Sequence, residues 1–355
     1  MKPIKLSTWK VKLPMYPPDE VSDNSANSNY ALCPRLGFYQ NGLRRGATGT
    51  NFPIQFGLAY HKYRETVEDL MIEMESDLTD MIHEVAWGLA GKDFIQPPAE
   101  HKHSHNNLLR LKQSCEMARD RVRRERAGGK ILVTKSEDSF DLELPFTLCP
   151  TCGWTDLEGK VGAYCFQCVD PDGLNAVPEM KMVRARHGGR VDQFVRLVSL
   201  ANGEFTRDFK TTGRMGTYYD LKFEPNSQMQ GYVWAKAELS GKECAGVLVE
   251  TLYNTKNIGP KIFQTYKSFS LGQQEQWVAS VMMERQMIQL MWSRVDELGY
   301  LAFPQRTGAC DSYGGCDYRE ACKSGSAFEI EQFLKNETDY RHWDFTNPDG
   351  EKGDE

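Results

Sequence analysis

Apolar residues recur at three- and four-residue intervals from Asn51 to Trp87, where Phe56, Tyr60, Tyr63, Val67, Leu70 and Met74 form one stripe, and this spacing predicts a long helix. A strongly charged helix is predicted from Leu108 to Gly129, stopped by Gly128-Gly129, and an amphipathic one from Gln273 to Leu298. Shorter helices are predicted over Tyr30 to Tyr39 and from Gln228 onward, the latter behind the turn Glu224-Pro225-Asn226-Ser227. Elsewhere the pattern shifts to that of strands. Val191 to Val198 and Phe205 to Thr212 alternate around Asn202-Gly203, the pair that favours a type I′ hairpin turn, and so predict two antiparallel neighbours. Val177 to Val183 and Ala245 to Tyr253 read as further strands. Residues 1 to 29 read as an irregular lead-in with order beginning at Tyr30, residues 92 to 107 as a loop, and 324 to 355 as a tail, acidic and disordered after Asn347.

The chain has 355 residues and a net charge of −6, enough for one large α/β domain or two small ones. The charge argues against a surface that is basic overall, so a nucleic-acid partner would be held by a local patch. No stretch approaches the roughly 20 apolar residues of a membrane span, and no signal peptide is visible, which predicts a cytoplasmic chain without a membrane partner. Ten cysteines in such a chain point to metal ligands before disulfides.

The candidate chemistry starts on the two paired strands. Asp192 lies on the first and Asp208 and Lys210, two apart and on one face, on the second. Two carboxylates and an ammonium at one sheet edge are costly to hold together unless a cation sits between the carboxylates, and a divalent metal is the simplest solution. Gln228 and Tyr232 share a helix face, as do Gly57, His61 and Glu65. Cys149-x-x-Cys152 and Cys165-x-x-Cys168 form two knuckles that suit a closed, structural zinc ribbon. Cys310, Cys316 and Cys322 are three thiols short of a fourth, which Cys33 would supply, for an iron-sulfur cluster or zinc. Cys115 and Cys244 read as ordinary buried cysteines. The alternating His101, His103 and His105 read first as an exposed loop and second as a metal site. The arginines from Arg119 to Arg126 read as a solvated face or as phosphate contacts.

In this order, Gly57-x-x-x-His61, Val191-Asp192, Asp208-Phe209-Lys210 and Gln228-x-x-x-Tyr232 resemble the motifs of the RecB-type branch of the PD-(D/E)XK nuclease superfamily. Cys33-Pro34-Arg35 and the C-terminal cysteine trio resemble the iron-sulfur members of that branch, the AddB-type helicase-nucleases and the CRISPR-associated exonucleases. The resemblance covers residues 30 to 323 and implies an α/β fold like that of restriction endonucleases, a central mixed β-sheet flanked by helices. The zinc ribbon, residues 145 to 172, would be an insertion, and an iron-sulfur clasp would join the N- and C-terminal segments. One departure is the spacing Cys310-x5-Cys316, longer than the C-x-x-C usual for the related exonucleases.

The resemblance implies that His61, Asp192, Asp208 and the Phe209 carbonyl ligate Mg²⁺ or Mn²⁺ and that Lys210 positions or activates water. Gln228 and Tyr232 would complete the catalytic set, and Cys33, Cys310, Cys316 and Cys322 would hold a [4Fe-4S] cluster. The expected activity is that of a metal-dependent DNA exonuclease acting on single-stranded DNA or DNA ends in recombination, repair or phage DNA processing, with a helicase or recombination partner. An endonuclease or flap nuclease of the same fold, and a non-catalytic nucleic-acid-binding or assembly module, are the alternatives.

Overall fold

Asn51, Thr79, Asn107, Asn226 and Ser326 each accept a backbone N–H two or three residues into the helix that follows, as short polar side chains at an N-cap do. The computed structural model describes residues 9–18, 21–169, 176–198, 203–311 and 315–341. In chain order the elements are β1 (Val21–Asp23), α1 (Asn24–Leu32), α2 (Pro34–Gly37), β2 (Arg45–Ala47), α3 (Phe52–Glu73), α4 (Asp80–Lys92), α5 (Leu108–Ala127), β3 (Ile131–Leu148), β4 (Thr155–Asp156) and β5 (Val183–Leu197). They continue with β6 (Gly203–Thr212), α6 (Ser227–Ser240), β7 (Cys244–Tyr253), β8 (Lys261–Lys267), α7 (Leu271–Trp292), α8 (Val295–Leu298), α9 (Arg319–Lys323), α10 (Ala327–Glu337) and β9 (Thr338–Tyr340).

The central sheet is mixed and flanked by helices, in the order β4-β3-β5-β6-β7-β8, with β1 pairing parallel to β5. Strands β5 and β6 are antiparallel, β6 and β7 parallel, and β7 and β8 antiparallel. The parallel pair needs a crossover, and α6 provides it. The chain divides into two units: residues 50–139 with 190–274, and residues 1–49 with 140–189 and 275–355.

In the first of these units, α3, α4 and α5 bury Phe56, Tyr60, Tyr63, Val67, Ile82, Ala86, Leu111, Cys115, Ala118 and Val122 in one apolar cluster. Burying each large side chain contributes about 1.5–3 kcal/mol, so the helical layer is well anchored. Helix α6 sets Met229 and Val233 against Val247 and Val249 of β7. Because side chains alternate along a strand, β6 turns Asp208 and Lys210 to the side of Val249 and α6, and Arg207 and Phe209 to the side of Glu250. A β-carbon at Gly57 would meet Thr211 Oγ1 at 2.8 Å, so glycine permits the close approach of α3 to β6.

The other unit is built on aromatic packing: Phe38 stacks on Phe303 at 4.0 Å and meets Trp292 and Tyr300 edge-on. Leu13 is buried in the same cluster, with Trp9, Val11 and Met15 packed against it.

Several expectations need correction. The stripe from Asn51 to Trp87 is two helices, because α3 ends where Glu75 takes a left-handed φ of 46° and Thr79 caps α4. Order begins before Tyr30: β1 pairs with β5, and Asp23 caps α1. Pro178–Met180 is a 3₁₀ turn, and the strand expected from Val177 starts at Val183. The tail contains α10, and β9 pairs antiparallel with β2. Strands β5 and β6 are the expected antiparallel neighbours; the Asn202-Gly203 turn pair and the tail after Asn347 lie outside the described residues in whole or in part.

Candidate active site

The outermost paired rung between β5 and β6 joins Gln193 to Arg207, and the next residues outward are Asp192 and Asp208. Asp192 accepts the Phe209 backbone N–H on Oδ2 at 2.6 Å, and its Oδ1 lies 3.6 Å from His61 Nδ1 on α3. Lys210 Nζ lies 2.9 Å from both Asp208 oxygens and donates to Oδ1; Oδ2 is buried without a well-directed hydrogen bond. The same ammonium donates to Gln228 Oε1 at 3.0 Å, and Gln228 Nε2 donates to the Tyr232 hydroxyl at 2.8 Å. The sequence-predicted His61, Asp192, Asp208, Lys210, Gln228 and Tyr232 are thus linked through side-chain contacts and the β5–β6 pair.

Burial dominates the electrostatics of each member. It pushes the Asp208 carboxyl up to about 6, with Lys210 opposing and Asp192 adding to the rise. At Asp192 burial is outweighed by His61 and Lys210, which hold the carboxyl below its usual range. At Lys210 burial is outweighed by Asp208 and Asp192, and at His61 by Asp192, so both cations are held more firmly than in water. The result is a pair of buried carboxylates, Asp192 held by a backbone N–H and a histidine and Asp208 by the Lys210 ammonium.

Phe209 faces the other way. Its ring lies 4.4 Å from the Arg64 guanidinium carbon and 5.3 Å from that of Arg207, with the His61 ring edge-on at 5.9 Å. Both arginines pair with the fully buried Glu250, which also has Arg121 at 3.3 Å and Gln264 at 3.1 Å. Burial disfavours the Glu250 charge, yet Arg207, Arg64 and Arg121 outweigh it and pull the carboxyl down to about 2. Sequence reasoning missed this cluster. Its signal was a glutamate inside the otherwise apolar run of β7, which a buried sheet strand tolerates only when paired. Glu65, one residue from Arg64, pairs instead with Lys62 at 3.1 Å and Arg190 at 3.3 Å.

Cys149, Cys152, Cys165 and Cys168 bring their sulfurs within 4.8 Å of one another, an arrangement that could hold a metal ion. The Cys149–Cys168 and Cys152–Cys165 separations are both 3.7 Å. Zinc–sulfur bonds of about 2.3 Å in a tetrahedron require sulfurs about 3.8 Å apart, so these residues fit zinc. The first knuckle is closed by the Gly153 N–H on the Cys149 carbonyl at 2.9 Å, with Gly153 at φ +79°.

Cys33, Cys310, Cys316 and Cys322 line one cavity of about 150 Å³, together with Leu36 and Tyr39. Among the described residues these four cysteines do not form a compact metal-holding group as the ribbon's four do. Burial raises the Cys322 thiol to about 11; Arg35 opposes the rise, and the other three cysteines add to it. Cys115 and Cys244 are buried apart from both groups.

His101, His103 and His105 do not converge: neighbouring rings are 5.5 and 6.0 Å apart, and they form no metal-holding group among the described residues. Arg119, Arg121, Arg123 and Arg126 pair with Asp120, Glu125, Asp80 and Glu68, so these four arginines serve the fold before any phosphate. Among the described residues no helix is long and apolar enough to cross a membrane. No protein-family model matches the chain, and no curated protein matches it.

Proposed function

We propose that this chain is a metal-dependent deoxyribonuclease of the PD-(D/E)XK type, in its RecB-like branch, acting as an exonuclease on single-stranded DNA or DNA ends. The observation that carries this reading is the convergence of two buried carboxylates, Asp192 and Asp208, with Lys210 and His61 at the edge of the β5–β6 pair, where Asp208 Oδ2 lacks a well-directed hydrogen bond. The buried Asp208 Oδ2 fits a cation, and with Asp192, His61 and the Phe209 carbonyl it would complete the donor set for Mg²⁺ or Mn²⁺. Such an ion would supply Lewis acidity toward a phosphoryl oxygen and acidify a bound water.

The chain's own residues do the rest. Lys210 is held between a carboxylate and an amide oxygen and is kept protonated, so it works as a fixed cation that orients water and offsets charge on the phosphate. Gln228 fixes the ammonium, and Tyr232 fixes Gln228. The Phe209 N–H fixes Asp192, while the arginine-flanked ring of the same residue immobilises the peptide that donates it. Zinc in the Cys149–Cys168 ribbon and a [4Fe-4S] cluster in the Cys33–Cys322 chamber would brace the unit that holds them.

The test is digestion of end-labelled single-stranded DNA with Mn²⁺. Lys210→Ala should lose at least about 10²–10³-fold in rate, the usual consequence of removing a charge-stabilising donor, with an unchanged circular dichroism spectrum. Digestion by Lys210→Ala or Asp208→Ala at the wild-type rate would refute the site. Product length separates the exonuclease from the endonuclease and flap-cleaving alternatives.

A further inference from the structure

Beyond the site itself, the end of β6 carries a second group of residues. Two residues past Lys210, the Thr212 carbonyl accepts the Asn254 N–H at 2.9 Å, and Asn254 Nδ2 donates to Asn106 Oδ1 at 3.0 Å. This ties the loop before α5 to the ends of β6 and β7. His101 packs edge-on to Phe52, the first residue of α3, at 4.8 Å. The loop therefore sits where the ends of β6 and β7 and the start of α3 meet.

The charges there are of one sign. His103 feels Lys102, His101, His105 and Arg214, and His105 feels Arg110 of α5 and Lys256 beyond β7; every one of these opposes protonation of the imidazole. Burial is the largest influence and acts in the same direction, so both imidazoles titrate below the usual histidine range. Glu100 is the only carboxylate in the stretch from Pro97 to Asn107. The α5 N-terminus adds its positive dipole end. Lys102, Arg214 and Lys256 are exposed and, unlike Arg121, Arg123 and Arg126, have no carboxylate partner among the described residues. Arg214 stands four residues past Lys210, at most about 14 Å along the chain. Tyr218, in the same loop as Arg214, is 75% exposed.

We propose that the His101–His105 loop, Arg214 and Lys256 form a seat for the phosphodiester backbone of single-stranded nucleic acid, on which Tyr218 stacks a base. Unpaired cations supply the electrostatic contact, imidazole N–H groups donate to phosphate oxygens, and an exposed aromatic ring beside them is the combination that holds single strands with little regard to sequence. The patch resolves how a chain of net charge −6 could hold a polyanion, by concentrating positive charge at one sheet end. This inference rests on the proposed function for its substrate, but it is tested without cleavage.

Anisotropy of a fluorescent single strand of about 20 nucleotides, measured in EDTA over a salt series, reads the contact directly. Arg214→Ala with Lys256→Ala should flatten the slope of log K against log salt by about 1.4, since each phosphate contact on a single strand contributes about 0.7. Tyr218→Ala should weaken binding about 5- to 150-fold, the equivalent of one stacked base. Arg123→Ala, whose side chain pairs with Asp80 at 2.8 Å, should bind as wild type. Binding should tighten as pH falls from about 6.5 toward about 5 in wild type, below the ordinary histidine range, and change less when His103 and His105 are both asparagine. Wild-type affinity and salt slope in the patch variants, or no binding by wild type, would overturn the proposal. Mn²⁺-dependent digestion by wild type alongside unaltered binding by the variants would defeat the patch and leave the nuclease reading standing. Patch-dependent binding without digestion would do the reverse.

Discussion

The two faces of β6 hold opposite kinds of buried charge. On one side Asp208 has, among the described residues, the Lys210 ammonium 2.9 Å from both oxygens, with only Oδ1 accepting a well-directed hydrogen bond; on the other, Glu250 has three guanidinium groups and a glutamine amide. Adjacent residues of one strand, Arg207 and Asp208, thus serve one carboxylate whose burial is fully compensated by donors and one whose burial is left partly uncompensated. Compensated charge maintains the fold, because removing one partner leaves the others buried and unpaired. Uncompensated charge is a standing cost that a protein keeps where something else is to bind.

The largest effect should come from breaking the compensated side. Glu250→Ala leaves the buried Arg64 without its carboxylate and Arg207 with Glu125 alone, and should lower stability by about 3–5 kcal/mol in urea unfolding. A loss well under this would mean that Glu125 takes over both arginines.

On the uncompensated side, Mn²⁺ should stabilise. At about 100 times its dissociation constant, an ion that binds only the folded chain adds about 2.7 kcal/mol. The rise in Tm should vanish in Asp208→Asn, and an equal rise in that variant would place the ion elsewhere, for instance on the cysteines.

Acidity should separate the faces by a smaller amount. The folded Asp208 carboxyl titrates at about 6, above its ordinary 3.8, so its charge destabilises the fold above that range and the penalty lifts as pH falls from about 6 toward 4. Metal-free Asp208→Asn should therefore be more stable than wild type at neutral pH, and by about 1 kcal/mol less so at pH 5. An advantage that does not shrink on acidification would show that Asp208 is not the group titrating. Glu250, pulled down to about 2, should keep its contribution through that range and lose it only below its ordinary 4.5.

The smallest effect is expected at the residue between the faces. Phe209→Leu removes the cation–π contacts with Arg64 and Arg207, about 0.5–2 kcal/mol, while leaving the backbone N–H that holds Asp192. It should lower stability with little change in Mn²⁺ affinity, and a large affinity loss would give the ring a share in shaping the metal site.

The site was readable in the sequence where local pattern sufficed. Strand alternation placed Asp208 beside Lys210, helix periodicity placed Gln228 beside Tyr232, and the knuckle spacing gave the four-cysteine group. Glu250 was not readable, because its partners Arg64, Arg121 and Arg207 come from α3, α5 and β6, and their convergence depends on tertiary packing. The break between α3 and α4 escaped because the apolar spacing runs on through Met74 while the backbone reverses at Glu75. The arginines of α5 suggested phosphate contact in the sequence, but four of them pair with carboxylates, whereas Lys102, Arg214 and Lys256, without a carboxylate partner among the described residues, lie in loops, where periodicity says nothing.

The two cysteine groups also differ in when they can close. Cys149 to Cys168 emerge from the ribosome within seconds of one another at usual synthesis rates of about 5–20 residues per second, and such a knuckle can load its ion on a growing chain. Cys33 must wait about 290 residues for Cys322, and a link across so long a loop restricts the unfolded ensemble far more than a short one. With the proposed cluster bound, the Cys33 chamber would act as a completeness check: a chain truncated before Cys322 could carry its ribbon and its carboxylates but could not join Cys33 to Cys322.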